Sequence, residues 1–134
     1  MNYTIFTDGG SRGNPGPAGV GVVVYDSENK IVGKYNGYIG RATNNVAEYK
    51  ALVLALEKAA LLPTPEKLTV NMDSELIVRQ MNGQYKIKEP ALKDLALKVF
   101  SLTKKFQSVI FNHVPREKNK LADKLVNIAI DEAI

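Results

Sequence analysis

The chain has 134 residues, of which 45% are hydrophobic and 24% charged, which is the size and composition of one folded domain and excludes a disordered polypeptide. It contains no cysteine, so disulfide bonds and thiolate metal sites are excluded, and a reducing compartment such as the cytoplasm is expected. No secretory signal and no apolar run near the ~18 residues of a membrane span is present, and the net charge of +4 suits a polyanionic partner.

The first part of the chain predicts three strands. Alternating residues predict a strand over 2–8, β-branched residues predict a second over 20–25, and a third follows over 31–38. The residues between the first two strands, 9–19, are rich in Gly and Pro and predict a loop. Polar residues 26–30 predict the turn into the third strand.

The rest of the chain predicts helices and two more strands. Apolar residues at helical spacing predict a helix over 44–60, with Asn44 or Asn45 as its N-cap. The remaining elements are predicted as a strand, two helices, a strand and a last helix, at residues 68–72, 74–83, 91–106, 108–114 and 119–133. Three strands followed by alternating helices and strands predict an α/β fold in which helices flank a mixed sheet, and we expect a single domain over 1–134.

Four of the fourteen acidic residues lie where solvated charges are not expected. Asp8 and Asp73 each end a predicted strand, and the carboxyl ends of strands are where α/β sheets bind ligands. Glu48 and Asp123 lie on or beside the apolar faces of two predicted helices. Converging carboxylates repel one another, and oxygen ligands suit Mg²⁺ or Mn²⁺ better than zinc. Two such ions about 3.5–4 Å apart can activate water and stabilise the leaving oxygen of a phosphodiester.

Each acid taken singly has a structural explanation. An acid at a strand end is usually a turn former or a helix cap, as Asp73 before Ser74 could be, and an acid on a helix is usually a solvated charge. The functional interpretation therefore depends on the joint placement of all four side chains.

Four motifs carry a resemblance that covers nearly the whole chain. In chain order they are TDGGSRGNPGPAG at 7–19, TNNVAEYKAL at 43–52, MDSEL at 72–76 and VPREKNKLAD at 114–123. Together they resemble type 1 ribonuclease H (ribonuclease HI), in its compact archaeal-like form. The resemblance implies a ribonuclease H-like fold with a five-stranded sheet, in which three antiparallel strands are followed by two parallel ones.

The resemblance also implies a metal-dependent endonuclease. Asp8, Glu48, Asp73 and Asp123 would form the metal-binding quartet for two ions per site, Mg²⁺ or Mn²⁺, with Asp8 and Asp73 as the central ligands. The implied reaction is sequence-independent hydrolysis of the RNA strand of an RNA–DNA hybrid, which leaves a 3′-hydroxyl and a 5′-phosphate. Glu48 would also accept a hydrogen bond from a 2′-hydroxyl beside the cut.

Six further positions match residues that contact the hybrid in the family. They are Gly9, Gly10, Asn14, Thr43, Asn44 and Asn45. The two glycines would leave backbone amides free to approach a sugar or a phosphate. Amide side chains both donate and accept, so they can recognise a 2′-hydroxyl without reading a base.

Two residues compete for a role in product release. His113 lies ten positions before Asp123, the spacing at which bacterial members carry a histidine with this role, but residues 114–117 replace their flexible glycine-containing loop. Arg116 offers the alternative cation near the scissile phosphate, and we favour it slightly.

Other functions remain open at this point. The chain could also cut double-stranded RNA, or it could be a catalytically silent module that binds RNA or hybrids, although such a module predicts a broken quartet. An excised segment of a polyprotein is disfavoured because Met1 directly precedes the first strand. We expect a monomer without an obligate protein partner.

Overall fold

The computed structural model describes residues 1–134, in which five strands form one mixed sheet and helices cover both of its faces. The strands are β1 (Asn2–Ser11), β2 (Gly16–Tyr25), β3 (Ile31–Ala42), β4 (Lys67–Met72) and β5 (Ser108–His113). The helices are α1 (Asn44–Ala59), α2 (Glu75–Met81), α3 (Pro90–Thr103) and α4 (Lys120–Ala133), and a short 3₁₀ turn spans Arg116–Lys118. No helix combines the length and the apolar character needed to cross a bilayer.

The sheet has the strand order β3-β2-β1-β4-β5. The first three strands pair antiparallel, and β1, β4 and β5 pair parallel, which confirms the predicted mixed sheet. β1 is therefore the central strand, with an antiparallel neighbour on one side and a parallel neighbour on the other.

The predicted loop over residues 9–19 is wrong. β1 continues to Ser11 and β2 begins at Gly16, so only residues 12–15 form a turn, and Asp8 lies inside β1 instead of at its end. The glycines are strand residues because helices pack directly onto them. A Cβ on Gly9 would lie 2.2 Å from the carbonyl of Ala47 in α1, and one on Gly21 would lie 2.4 Å from the carbonyl oxygen of Ala122 in α4.

The two helices lie on opposite faces of the sheet, since Gly9 and Asp8 are successive strand residues and Gly21 pairs with Asp8. On the α1 face, α3 completes a core cluster of 21 buried residues. The opposite face of β1–β3 is covered by α4 through Val126 and Ile130, which are both buried. Apolar side chains fill both faces of the sheet, and a cavity lined mainly by polar residues of β1, α1 and α4 lies between the two helices.

The N-cap predicted for α1 is also wrong. The hydroxyl of Thr43 accepts from the amide of Val46 at 3.2 Å, so Thr43 is the cap, and Asn44 and Asn45 belong to the first turn of the helix. Both asparagine side chains are therefore left for other contacts.

Candidate functional site

The parallel pairing of β1 with β4 brings two acids together. Thr7 lies opposite Met72 in this pairing, so the residues that follow them, Asp8 and Asp73, are neighbours at the same end of the sheet. They are 65 residues apart in the chain and are brought together by this strand pair. Asp8 is 7% exposed and Asp73 is partly exposed.

Glu48 reaches the same place from α1. The close approach of α1 to β1 at Gly9 allows a Glu48 carboxylate oxygen (Oε1) to accept the backbone amide of Gly9 at 2.9 Å. Glu48 is 3% exposed. One carboxylate oxygen from each of Asp8, Glu48 and Asp73 lies within 4.8 Å of the others, which is a spacing that could hold a metal ion.

Asp123 faces the same cavity but is not part of that tight group of three. It lies in the first turn of α4 and, with Asp8, Glu48 and Asp73, lines a cavity of about 430 Å³. Only two of the fourteen lining residues are hydrophobic. The predicted quartet therefore converges on one polar cavity, with Asp123 as its more distant member.

The charges of these acids are not balanced by the protein. None of the four ion pairs of the chain involves Asp8, Glu48, Asp73 or Asp123. Burial, followed by the charges of Glu48 and Asp73, raises the pKa of Asp8 to about 10. Burial also raises the pKa of Glu48 to about 7, although the Gly9 amide opposes this increase. Without a cation, the cluster therefore retains protons near neutral pH.

The comparisons with known proteins agree with this arrangement. Residues 6–129 match the family described as reverse transcriptase-like. The bifunctional protein Rv2228c of Mycobacterium tuberculosis is 45% identical over 99% of this chain, which amounts to 36% of the relative, so the chain spans about a third of that protein's length. The LC11-RNase H1, solved in complex with an RNA/DNA hybrid, is 51% identical with a TM-score of 0.92, and the match covers 98% of both chains. RNase H1 of Halobacterium salinarum is 39% identical with a TM-score of 0.95, over 98% of this chain and 99% of that structure.

The chain belongs to the ribonuclease H family. The resemblance stated from the four motifs is therefore confirmed, as is the ribonuclease H-like fold.

The residues of the cavity fit the metal dependence of ribonucleases H. All of the candidate ligands are carboxylate oxygens, which are the donors that hard divalent cations prefer. Burial and mutual repulsion raise the pKa of Asp8, and a bound cation would offset both costs. The donor set and its unbalanced charge thus suit a divalent cation.

Two of the predicted substrate residues, Asn14 in the β1–β2 turn and Asn44 in α1, contact one another. The side-chain oxygen of Asn14 accepts the backbone amide of Asn44 at 2.9 Å, and the side-chain oxygen of Asn44 accepts the amide of Ser11 at 3.2 Å. Asn44 lines the carboxylate cavity, whereas Asn45 lines a separate cavity of about 500 Å³ beside α2. Thr43, the helix cap, lines neither cavity.

The two glycines of the motif differ from each other. Both line the carboxylate cavity, but the amide of Gly9 is engaged by Glu48, so the prediction of a free amide at Gly9 is wrong. Gly9 is instead required by the close packing of Ala47. At Gly10 a Cβ would meet only the side chain of Val126, at an ordinary contact distance of 3.4 Å.

The two candidates for product release are separated. Arg116, in the 3₁₀ turn before α4, lines the carboxylate cavity. His113 is the last residue of β5 and lines a different cavity of about 270 Å³, together with Glu75 and Arg79. Only Arg116 therefore shares a cavity with the carboxylates.

Several cavity residues were not identified from the sequence. Arg12 donates to the side chain of Asn127 at 3.2 Å and forms an ion pair with Asp131 at 2.7 Å, which fastens the β1–β2 turn to α4. Ser74 caps α2 and lines the cavity beside Asp73. Arg12 and Ser74 lie within the quoted motifs, but their contacts link elements that are distant in the chain. No local pattern could have predicted these contacts.

Proposed function

We propose that the chain is an endoribonuclease that hydrolyses the RNA strand of RNA–DNA hybrids, independently of sequence, and leaves 3′-hydroxyl and 5′-phosphate ends. The observation that carries this proposal is the convergence of Asp8, Glu48 and Asp73 within 4.8 Å, in one cavity with Asp123. The relation to LC11-RNase H1, which was solved with an RNA/DNA hybrid, supports the substrate.

The four acids are the proposed ligands of two divalent cations, Mg²⁺ or Mn²⁺. Asp8 and Asp73, which lie side by side on β1 and after β4, would be shared, and Glu48 and Asp123 would each complete one site. When bound, the cations would supply activation of the attacking water and neutralisation of charge on the scissile phosphate.

The chain's own groups would bind and orient the hybrid around this centre. Arg116 would pair with phosphate at the edge of the cavity and favour departure of the product. The backbone at Gly10, which has no side chain in the way, would contact the sugar-phosphate backbones of the hybrid. The side-chain amides of Asn14 and Asn44 would make further contacts with them. Glu48 uses one carboxylate oxygen for Gly9, so the other would accept a 2′-hydroxyl. These contacts would spare the base edges, which would account for the proposed sequence independence.

A cleavage assay tests the proposal. End-labelled RNA–DNA hybrid, double-stranded RNA and double-stranded DNA would be incubated with the protein in Mg²⁺, Mn²⁺ or EDTA. We expect metal-dependent cleavage of the hybrid's RNA strand, abolished in Asp73→Asn and retained in Asp94→Asn, which removes an exposed acid of α3. Products that lack a 5′-phosphate would contradict the proposed chemistry.

Other outcomes of this assay separate the alternatives. Comparable cutting of double-stranded RNA would keep the site and broaden the substrate. Binding of the hybrid without cleavage in either metal would replace the enzyme with a binding module. The single-domain organisation, the monomeric state and the cytoplasmic location stay predictions.

A further inference from the structure

Asn119 is a buried amide directly beside the carboxylates. It precedes α4 and is 1% exposed. Its side-chain nitrogen (Nδ2) donates to the backbone carbonyl of Thr7 at 2.8 Å and to the carboxylate of Asp73 at 3.3 Å. Thr7 immediately precedes Asp8. The two protons of one amide group therefore bridge β1 and the residue that follows β4, next to both central acids.

The orientation of this amide follows from its partners. Both are acceptors, so the nitrogen must face them, since the opposite orientation would place the amide oxygen against two other oxygens. The oxygen of Asn119 is then left buried without a hydrogen-bond partner. Such a group costs stability, and unpaired buried groups concentrate where function requires them. The two hydrogen bonds that the Asn119 side chain donates, to Thr7 and Asp73, explain why the buried, unpaired oxygen is retained.

The backbone of Asn119 holds two more residues of the cavity. Its carbonyl accepts the amide of Asp123 at 3.1 Å, and its own amide donates to the carbonyl of Arg116 at 2.9 Å. One buried residue thus contacts Asp73, Asp123 and Arg116 and the strand segment that carries Asp8.

We propose that Asn119 is a positioning residue that fixes the Asp73 carboxylate for binding of a divalent cation. The inference rests on the proposed function, because it assigns Asp73 to a cation site. The hydrogen bond from Asn119 holds one carboxylate oxygen of Asp73 in place. It would therefore restrict rotation of the side chain and fix the direction in which the other oxygen meets a cation. Residues that orient metal ligands in this way change metal affinity or activity by about 10- to 100-fold when they are replaced.

Two variants test the inference. Asn119→Ala removes both donated hydrogen bonds. The matched control is Asn36→Ala, because Asn36 also uses its side-chain nitrogen to anchor α4, by donating to the carbonyl of Leu125 at 2.9 Å, and touches no carboxylate. Each variant would be titrated with Mn²⁺ by calorimetry in the absence of nucleic acid, and assayed for hybrid cleavage over a range of metal concentrations.

We expect Asn119→Ala to bind Mn²⁺ about 10- to 100-fold more weakly, with a hybrid KM close to wild type and a kcat that excess metal partly restores. Asn36→Ala should lower only the melting temperature. Equal metal affinity in Asn119→Ala and wild type, or equal losses in both variants, would overturn the inference.

A measurement on the wild-type protein covers the case in which Asn119→Ala does not fold. The side-chain NH₂ signals of Asn119 should move in NMR spectra when Mg²⁺ is added, whereas those of Asn36 should stay in place. Stationary Asn119 signals, while the backbone amides around Asp8 move, would overturn the inference. A selective loss of metal affinity in Asn119→Ala, in a protein that cleaves no hybrid, would contradict the proposed function and leave the role of Asn119 supported.

Discussion

Two adjacent residues of α1 are buried in opposite kinds of polar environment. Tyr49 donates its hydroxyl to the side-chain oxygen of Gln80 at 2.7 Å, and the nitrogen of Gln80 donates to the carbonyl of Lys86 at 3.4 Å, so every partner is neutral. Glu48 is instead buried among like charges, Asp8 and Asp73. The buried polar groups of Tyr49 and Gln80 have complementary hydrogen-bond partners within the protein. The carboxylates around Glu48 have no opposite charge in the protein, so their repulsion persists until protons or a cation from solution neutralise them.

The sharpest test of this comparison is Asp8→Asn, which should reduce hybrid cleavage by more than about 10³-fold. Replacing one member of a group of catalytic residues that act together costs about as much activity as replacing all of them. The same change should raise the stability of the metal-free protein by about 1 kcal/mol, since it removes a buried carboxyl group that must take up a proton on folding at neutral pH. Urea unfolding in EDTA, beside the cleavage assay, measures both effects. A loss of stability together with the loss of activity would show that Asp8 is balanced within the protein.

The pH dependence of stability should distinguish the two environments next. In the folded state Glu48 holds its proton to a pH of about 7, above its ordinary pKa of 4.5 in the unfolded chain. The contribution of Glu48 to stability is therefore full below pH 4.5 and falls as the pH rises toward 7, by up to about 1.4 kcal/mol per pH unit for each retained proton. Asp8 extends this decline to higher pH.

Saturating Mg²⁺ should remove most of this decline, since a bound cation replaces the protons. Thermal unfolding from pH 4 to 9, with EDTA or with Mg²⁺, provides the measurement. A stability of the metal-free protein that rises over this range would contradict the assigned shifts. The control is Asp8→Asn, in which the slope should be smaller.

Gly9→Ala tests the packing that brings Glu48 to the site. The added Cβ would overlap the backbone of Ala47, so we expect a loss of about 3 kcal/mol in unfolding free energy, together with lower metal affinity. Gly37→Ala in β3 is the matched control, because its Cβ would meet only the side chain of Val20 at 4.0 Å. Similar stabilities of the two variants would indicate that α1 can move away from β1 at little cost.

The smallest expected effect concerns the neutral pair. Tyr49→Phe leaves the oxygen of Gln80 without its donor and should cost about 1–3 kcal/mol of stability, with cleavage by the folded protein within about two-fold of wild type. Chemical denaturation and assays below the melting temperature measure the two quantities. A selective loss of kcat would indicate that the Tyr49–Gln80 pair also supports the site.

The sequence predicted the order of all nine regular elements, because apolar periodicity and turn residues are local signals. The mixed sheet was inferred from that order, and its arrangement of three antiparallel and two parallel strands from the family resemblance. It misplaced the end of β1, since glycines that usually mark loops here allow α1 and α4 to approach the strands. It also assigned the cap of α1 to Asn44 or Asn45 instead of Thr43, a shift of one or two residues among three that can all cap a helix.

The site was predicted in part for a different reason. The four acids were found from their placement at predicted strand ends and beside apolar helix faces, and from the motifs that resemble a family. The engagement of the Gly9 amide and the bridging role of Asn119 were not found, because each depends on a contact between residues far apart in the chain, 39 positions in one case and 112 in the other. Such contacts exist only after the sheet has formed.

The parallel pairing of β1 with β4 has a consequence for how the chain acquires its chemistry. The acids are distributed over the length of the chain, and the last of them, Asp123, lies on the final helix. Non-local pairings of this kind form slowly, since the intervening chain must be ordered first. A partly folded chain therefore contains the four acids without the cavity in which they converge. Recovery of hybrid cleavage during refolding should follow the slowest phase of folding.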